Sequence, residues 1–147
     1  MSSEVRFHTI TAEPHGVIAP ATALFDREVF TPLPVMMIGG GYRLYTAMKG
    51  DELVGAANAC GDLMDDLGYI RKIAVEPAHR NQGIGSALLH YVIDDIRDMG
   101  QARVSIYPTN NDNRRLYERL GFATDPTEIV SPNMLFLRLA HLPDGTS

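Results

Sequence analysis

The sequence predicts a single-domain α/β fold, in which a mixed, mostly antiparallel sheet is flanked by helices. Segments with the alternation of strands and segments with helical periodicity are interspersed along the whole chain. Two neighbouring strand segments are joined by a short polar turn, as in an antiparallel hairpin. The 147 residues are 45% hydrophobic and contain no internal repeat or linker, so residues 1–147 are interpreted as one domain with one core.

The first part of the chain predicts one strand, one helix and a loop. Residues 5–10 alternate apolar and polar side chains, which is typical of a strand. The next helix is predicted to begin or kink near Pro20, because a proline inside a helix costs about 3 kcal/mol. Residues 31–41 hold two prolines and three glycines and are predicted to form a loop. The apolar face of the helix is expected to hold Ala21, Leu24, Phe25 and Val29.

A hairpin, a strand and the clearest helix of the chain follow. Residues 42–48 and 53–59 are predicted to form the hairpin, and residues 67–75 the next strand. Residues 83–99 show helical periodicity, and Gly100 is expected to end that helix. The predicted apolar stripe consists of Ile84, Ala87, Leu88, Tyr91, Val92, Ile96 and Met99.

The last part predicts a strand at residues 103–107, a short helix at 112–120 and a final strand at 134–139. On the short helix, Glu118 is expected to pair with Arg114 one turn earlier. The complete order of elements is that of a mixed sheet within one domain.

Composition excludes some classes of function. Thirteen basic and eighteen acidic residues give a net charge of −5, which argues against a nucleic-acid binder and is compatible with a cationic substrate. Cys60 is the only cysteine, so no disulfide can form within the chain. A lone cysteine of this kind is most often a small buried side chain. The chain shows neither a signal-peptide pattern nor an apolar run long enough to span a membrane. We therefore expect a cytoplasmic protein, and the spacing of the histidines predicts no metal site.

The segment IRKIAVEPAHRNQGIGSALLHYV, at residues 70–92, predicts an anion-binding turn. A helix N-terminus carries unpaired N–H groups and partial positive charge. Gly83 and Gly85 let a phosphate approach these amides, and Arg80 can add a charge-assisted contact. A diphosphate suits this geometry best. Glycines at such a turn also serve close packing, and that alternative stays open on these residues alone.

Two blocks of sequence carry a resemblance to a known family. The run IAVEPAHRNQGIGSALL, at residues 73–89, resembles the acetyl-CoA-binding motif of the GNAT superfamily of N-acetyltransferases, R/Q-x-x-G-x-G/A at the head of a helix. The run NNDNRRLYERLGF, at residues 110–122, resembles the family's N-x-x-A-x-x-L-Y-x-x-x-G-F segment. Both blocks occur in the family's order, and the strongest match covers residues 53–122.

The resemblance implies a cofactor, acetyl-CoA, and a GNAT-like sheet. The pantetheine arm is expected to pair with the strand at residues 67–75, like an added strand, and this strand is expected to splay from the one at 103–107. The residues that the resemblance implies for acetyl-CoA binding are Ile73, Val75, Arg80, Asn81, Gln82, Gly83, Gly85, Ser86, Asn110 and Asn113.

Tyr117 matches the family's tyrosine, which often protonates the departing thiolate. A phenol is a suitable donor for this step, although Tyr117 would also suit packing against its helix neighbours. Asn110 matches the family's asparagine, whereas Asn113 stands where the family more often has alanine. Both asparagines would also suit helix capping.

The sequence leaves the general base open. Many relatives place an acidic residue six positions before the valine that ends the strand, where this chain has Tyr69. Tyr69 is retained as a catalytic candidate, and water-mediated deprotonation is an alternative. Weaker candidates for the base are Asp65, Asp66, Glu28 and Glu76.

The acceptor site of such a fold is built from the first helix, the loop after it and the strand ends. Phe30, Tyr42 and Arg71 are therefore predicted to contact the acceptor, although core packing for Phe30 and a surface role for Arg71 remain alternatives. Arg71 would suit a carboxylate on the substrate. Met36 and Met37 would add apolar surface if they are exposed.

Together these observations predict an N-acetyltransferase that moves an acetyl group from acetyl-CoA to a primary amine by direct attack in a ternary complex. The acceptor is expected to be a small molecule or a peptide, and a homodimer is a family-level expectation. The alternatives are an acyl-CoA-binding or sensing domain without catalysis, which the missing acid at position 69 favours, and an interaction domain whose glycine turn binds nothing.

Overall fold

The computed structural model describes residues 4–12, 15–29, 38–61, 66–128 and 132–139. Within these ranges the strands form one sheet in the order β1-β2-β3-β4-β5-β7-β6. The strands are β1 (Val5–Ile10), β2 (Tyr42–Lys49), β3 (Glu52–Cys60), β4 (Leu67–Val75), β5 (Arg103–Ile106), β6 (Ala123–Thr124) and β7 (Leu135–Arg138), and the helices are α1 (Ile18–Glu28), α2 (Ile84–Asp98) and α3 (Asn111–Arg119).

All strand pairs of this sheet are antiparallel except β4 with β5, which is parallel. The predicted mixed and mostly antiparallel α/β fold is therefore confirmed. Every predicted strand is present with ends that agree to within one residue, and the two-residue β6 is an addition that the sequence did not predict. Residues 31–37 of the predicted loop lie outside the described residues.

Two helices cover the opposite faces of the sheet because alternate residues of each strand point to opposite sides. On one face Leu24 and Phe25 of α1 belong to a buried cluster with Leu44 of β2 and Ala74 of β4. The other face is covered by α2, whose buried side chains join the main core with strands β2 to β5. These α2 side chains are Leu88, Leu89, Val92, Ile93 and Ile96.

The start of α1 agrees with the predicted start near Pro20, whereas the buried face of α2 corrects the sequence prediction. Helix α1 begins at Ile18 and accommodates Pro20 in its first turn, where a missing backbone N–H leaves no helical hydrogen bond unmade. On α2, Ala87 is exposed although it was assigned to the apolar stripe, whereas Leu89 and Ile93 are buried. A helix packed flat on a sheet buries a wider face than a single stripe.

Candidate active site

Strands β4 and β5 separate in the middle of the sheet. They pair only between Leu67 and Ile70 of β4 and Arg103 and Ile106 of β5, although β4 continues to Val75. The register between β3 and β4 shifts at this point, so that Arg71 is an extra residue in a β-bulge. The predicted splay of the central strands is thus present, and it leaves one edge of the second half of β4 unpaired by any described strand.

The turn after β4 leads into the N-terminus of α2. A short 3-10 helix, Pro77–His79, is followed by Asn81 and Gly83, both with positive φ, of 65° and 79°. Gly83 is the N-cap of α2 and no side chain caps this end. The first amides of α2 thus have no side-chain cap, which is compatible with the anion-binding turn that the glycine spacing predicts.

A groove of about 630 Å³ runs along this turn and the end of β4 to α3. Nine of the ten residues predicted to bind acetyl-CoA line this groove. The tenth, Gln82, is exposed and does not line it. The nine are Ile73, Val75, Arg80, Asn81, Gly83, Gly85, Ser86, Asn110 and Asn113.

A second, smaller cavity of about 50 Å³ lies in the gap between β4 and β5. We call it the acceptor cavity, because Arg71, which the sequence predicts to contact the acceptor, is among its lining residues. By volume it has room for on the order of three or four water molecules. Arg71 and Tyr107 line it, and Tyr107 is 48% exposed. The residues common to the groove and the acceptor cavity are Glu28, Ile73, Thr109, Asn113 and Tyr117.

Tyr117 stands where the groove and the acceptor cavity meet. Its side chain is buried and its ring packs at 6.0 Å from that of Phe122. Burial raises the pKa of the Tyr117 hydroxyl to about 12, so that the phenol keeps its proton at neutral pH. The position and the protonation state both suit a proton donor to a group at this junction.

The two asparagines of α3 have different contacts. The Asn110 side-chain oxygen accepts a hydrogen bond of 2.8 Å from the Asn113 amide and so caps α3. The Asn113 side chain donates to the Thr109 hydroxyl at 2.9 Å. Capping thus accounts for Asn110, as one alternative from the sequence predicted, while Asn113 and Thr109 form part of the wall shared by the groove and the acceptor cavity.

Of the remaining predicted side chains that the structure describes, Arg71 lines the acceptor cavity, and Tyr42 and Tyr69 do not. The Arg71 guanidinium lies 5.6 Å from the centre of the Tyr42 ring, but Tyr42 itself does not line the cavity. Tyr69 lines neither the cavity nor the groove, and burial raises the pKa of its hydroxyl. Phe30, like Met36 and Met37, lies outside the described residues.

Comparison with known proteins identifies the family. The sequence model of the acetyltransferase (GNAT) family matches residues 9–122. The chain belongs to the GNAT family. The turn from Arg80 to Gly85 and Tyr117 both fall within the matched segment, so the resemblance noted from the two sequence blocks is confirmed.

Curated relatives of this GNAT chain are acetyltransferases with different acceptors in their names. The [ribosomal protein bS18]-alanine N-acetyltransferase of Escherichia coli (strain K12) is 36% identical over 69 residues, which are 46% of this chain and 47% of the relative. N-alpha-acetyltransferase 30 of Xenopus laevis is 34% identical over 86 residues, 55% of this chain and 32% of the relative. Mycothiol acetyltransferase of Streptomyces scabiei is 29% identical over 89 residues, which are 58% of this chain and 29% of the relative. The matched segment spans less than half the length of each.

Solved structures show the same GNAT fold. The ribosomal-protein-S18-alanine N-acetyltransferase from Escherichia coli superposes with a TM-score of 0.69 and 20% identity, over 97% of this chain and 99% of that one. A chain of the NatC complex bound to Gag peptide and CoA superposes with a TM-score of 0.72 and 19% identity, over 93% of this chain and 99% of that one. No helix in the described part of the chain is long and apolar enough to cross a membrane.

Several residues that line the groove or the acceptor cavity were not singled out as site residues by the sequence, among them Thr109, Tyr107 and His79. Thr109 and Tyr107 follow β5 without any local motif, and only the separation of β4 and β5 brings them to the acceptor cavity. His79, for which the sequence analysis predicted no role, lines the groove and contacts Glu52 at 3.2 Å. Glu28, a weak candidate for the base, lies at the end of α1 and lines both the groove and the acceptor cavity.

Proposed function

We propose that this chain is an N-acetyltransferase that transfers an acetyl group from acetyl-CoA to a primary amine. The observation that carries the proposal is the meeting of the groove and the acceptor cavity at Tyr117, beside the free edge of β4. A donor and an acceptor bound on the two sides would meet at this point. Membership of the acetyltransferase family supports the same chemistry.

Acetyl-CoA fits the groove in one direction. Its diphosphate would bind the first amides of α2 near Gly83 and Gly85, where the helix end favours an anion. Its pantetheine arm would pair with the second half of β4, whose edge is not paired with β5. This direction brings the thioester to Ile73, opposite Tyr117, and a backbone N–H between Ile73 and Val75 would polarise the thioester carbonyl.

The reaction follows from this arrangement by direct attack. The acceptor ammonium loses one proton, and its nitrogen then forms a bond to the thioester carbon. The resulting tetrahedral intermediate loses a second proton from nitrogen, its C–S bond breaks, and the thiolate takes a proton from the Tyr117 hydroxyl. Tyr117 regains a proton from solvent, so that the products are an amide, CoA and one proton. No covalent acetyl-enzyme is involved.

We propose an α-amine of a peptide or protein as the acceptor. Two of the named relatives are an alanine N-acetyltransferase of a ribosomal protein and an N-alpha-acetyltransferase, which supports this class. The acceptor cavity has the size of an amine with a methyl-sized side chain, as alanine has. Arg71, at its wall, would suit a carboxylate or carbonyl of the acceptor.

Calorimetry and thiol release together test the proposal. Acetyl-CoA and CoA should bind once per chain with micromolar affinity, and NADH should not bind. A hexapeptide that begins with a free alanine should then release CoA thiol, whereas the same peptide with a blocked N-terminus should not. No heat with either CoA species would overturn the donor site. Acetyl-CoA binding without thiol release from any amine would instead favour an acyl-CoA-binding domain without catalysis.

A further inference from the structure

Glu28 lines both the groove and the acceptor cavity. It is the last residue of α1, and of the described residues that line the acceptor cavity it alone carries a carboxylate. Its side chain is 18% exposed and forms an ion pair with the guanidinium of Arg80, which belongs to the diphosphate turn. One carboxylate therefore contacts the cation of the donor site and also lines the place where the acceptor would bind.

The position of Glu28 is fixed from two sides. Leu24 and Phe25, in the preceding turn of α1, are buried against the sheet. Arg27 donates two hydrogen bonds of 3.2 Å to the carboxylate of Glu76, which directly follows β4. The end of α1 is thus tied to the segment that leads into the diphosphate turn, and Glu28 is held beside that turn.

A carboxylate in the last turn of a helix is electrostatically unfavourable, because the helix C-terminus carries partial negative charge. Arg80 compensates for this at Glu28. The Arg80 side chain is 51% exposed, and its Nε also donates to the Val75 carbonyl at 3.3 Å. The guanidinium can therefore turn toward a bound diphosphate, which carries more negative charge than one carboxylate, without leaving a buried position.

We infer that Arg80 exchanges one anionic partner for another when acetyl-CoA binds. In the cofactor-free chain Arg80 neutralises Glu28. With acetyl-CoA bound, Arg80 pairs with the diphosphate, and Glu28 then binds the ammonium group of the acceptor in the adjacent cavity. This inference rests on the proposed function and adds one property to it: the Glu28 carboxylate pairs with Arg80 while the donor is absent and becomes the binding group for the acceptor's ammonium once the donor is bound.

Calorimetric titration of acetyl-CoA tests the exchange with a double-mutant cycle. Glu28→Gln removes the charge that competes for Arg80, so acetyl-CoA should bind about two- to fivefold more tightly, the range expected for a half-exposed ion pair. Arg80→Ala should bind acetyl-CoA more weakly, and adding Glu28→Gln to Arg80→Ala should change nothing further. Glu118→Gln is the matched control, because Glu118 pairs with Arg114 on α3 and lines neither the groove nor the acceptor cavity.

An equal gain from Glu28→Gln in the Arg80→Ala background would overturn the exchange, since it would reflect only the removal of a negative charge near the phosphates. Unchanged or weaker acetyl-CoA binding by the single variant Glu28→Gln would overturn it as well. If the wild-type chain binds no acetyl-CoA, both the proposed donor and the exchange are rejected. Normal wild-type binding without an effect of Glu28→Gln rejects the exchange alone, so the two failures are distinguishable.

Calorimetric titration with a peptide tests whether Glu28 binds the acceptor. The hexapeptide with a free N-terminal alanine is titrated into the CoA-saturated wild type, Glu28→Gln and Glu118→Gln. We expect the peptide to bind the Glu28→Gln variant about tenfold more weakly, and to bind the cofactor-free wild type more weakly than the CoA-saturated one. Equal peptide affinity for all three proteins, or no peptide binding to the CoA-saturated wild type, would overturn the assignment of Glu28 to the acceptor's ammonium group.

Discussion

Ile70 of β4 pairs with Ile106 of β5, and this is the last pair that the two parallel strands make. Both side chains are buried in the main core, so the strands are held together up to this point. At the next residue, Arg71, β4 bulges, and β5 has already ended. The active-site gap therefore begins at a defined residue pair, and the free edge of β4 starts beside a rigid, well-packed segment.

Tyr117→Phe should lower turnover by about 10²-fold, the usual contribution of a general acid, while acetyl-CoA affinity stays the same. The phenylalanine keeps the contact with Phe122 but has no proton to give to the thiolate. Steady-state thiol release and calorimetry measure the two quantities. Tyr91→Phe is the matched control, because the Tyr91 hydroxyl bonds to Thr9 and lies away from the groove and the acceptor cavity. Full turnover by Tyr117→Phe, with chemistry rate-limiting, would exclude the proton-donor role.

Gly83→Ala should weaken acetyl-CoA binding about tenfold, in addition to a small loss of stability. Gly83 has a φ of 79° and lines the groove where the diphosphate is proposed to lie, and a Cβ there would meet no other atom within 4 Å. Gly50→Ala has a similar backbone penalty, since Gly50 has a φ of 62° in open space at the β2–β3 turn. Each substitution is expected to cost about 1 kcal/mol of folding free energy, as melting temperatures would show. Equal acetyl-CoA affinity for the two variants would argue against an anion at Gly83.

Tyr117 should also make stability depend on pH in the alkaline range. Its pKa is about 12 in the folded chain, while an unfolded tyrosine titrates near pH 10. Between these values the folded state binds more protons, so stability is fully present below about pH 10 and is lost as the pH rises toward 12. The difference in unfolding free energy between wild type and Tyr117→Phe should therefore fall by an amount on the order of 2 kcal/mol over this range.

Urea unfolding at about pH 8, 10 and 11.5, which lie below and within the titration range of the two states, measures this difference. Other groups with shifted pKa values, such as Tyr45, which burial and the Asp95 carboxylate shift upward, and Lys72, which burial shifts downward, are present in both proteins and cancel. A difference that stays constant up to the highest pH would contradict the burial of a protonated Tyr117.

The order of elements and most of the residues that line the groove could be predicted, because both depend on local sequence. The groove residues between Arg80 and Ser86 lie close together in sequence, in the turn and the first residues of α2, and Tyr117 stands in a recognisable block. The acceptor side depends on contacts between distant segments. Glu28 and Arg80 are 52 residues apart and meet only because α1 docks beside the turn.

The bulge at Arg71 explains a second limit of the sequence analysis. Regular alternation along β4 would place Tyr69 and Arg71 on the same face of the strand. The extra residue interrupts that alternation between Ile70 and Lys72, and of the two predicted side chains Arg71 alone lines the acceptor cavity. No residue type at these positions signals a bulge, so its place could not be predicted from the sequence.

Gly68→Ala should destabilise the fold by about 1–3 kcal/mol, the range for overpacking a close-packed core. A Cβ at Gly68 would lie 2.5 Å from Cγ2 of Ile96, a buried side chain on the face of α2 that packs on β4. Gly16→Ala is the control, because nothing lies within 4 Å of a Cβ at Gly16 and its backbone does not require glycine. Urea unfolding of both variants measures the effect.

Ile96→Ala supplies the decisive comparison, because it removes the atom that the new methyl group would meet. Alone it should cost about 2–5 kcal/mol through the cavity it leaves. Combined with Gly68→Ala it should cost less than the sum of the two, by more than about 0.5 kcal/mol, since the methyl group partly fills that cavity. Strictly additive losses would mean that β4 and α2 do not approach closely at Gly68. The segment of β4 that pairs with β5 would then be held by other contacts than the packing of Ile96.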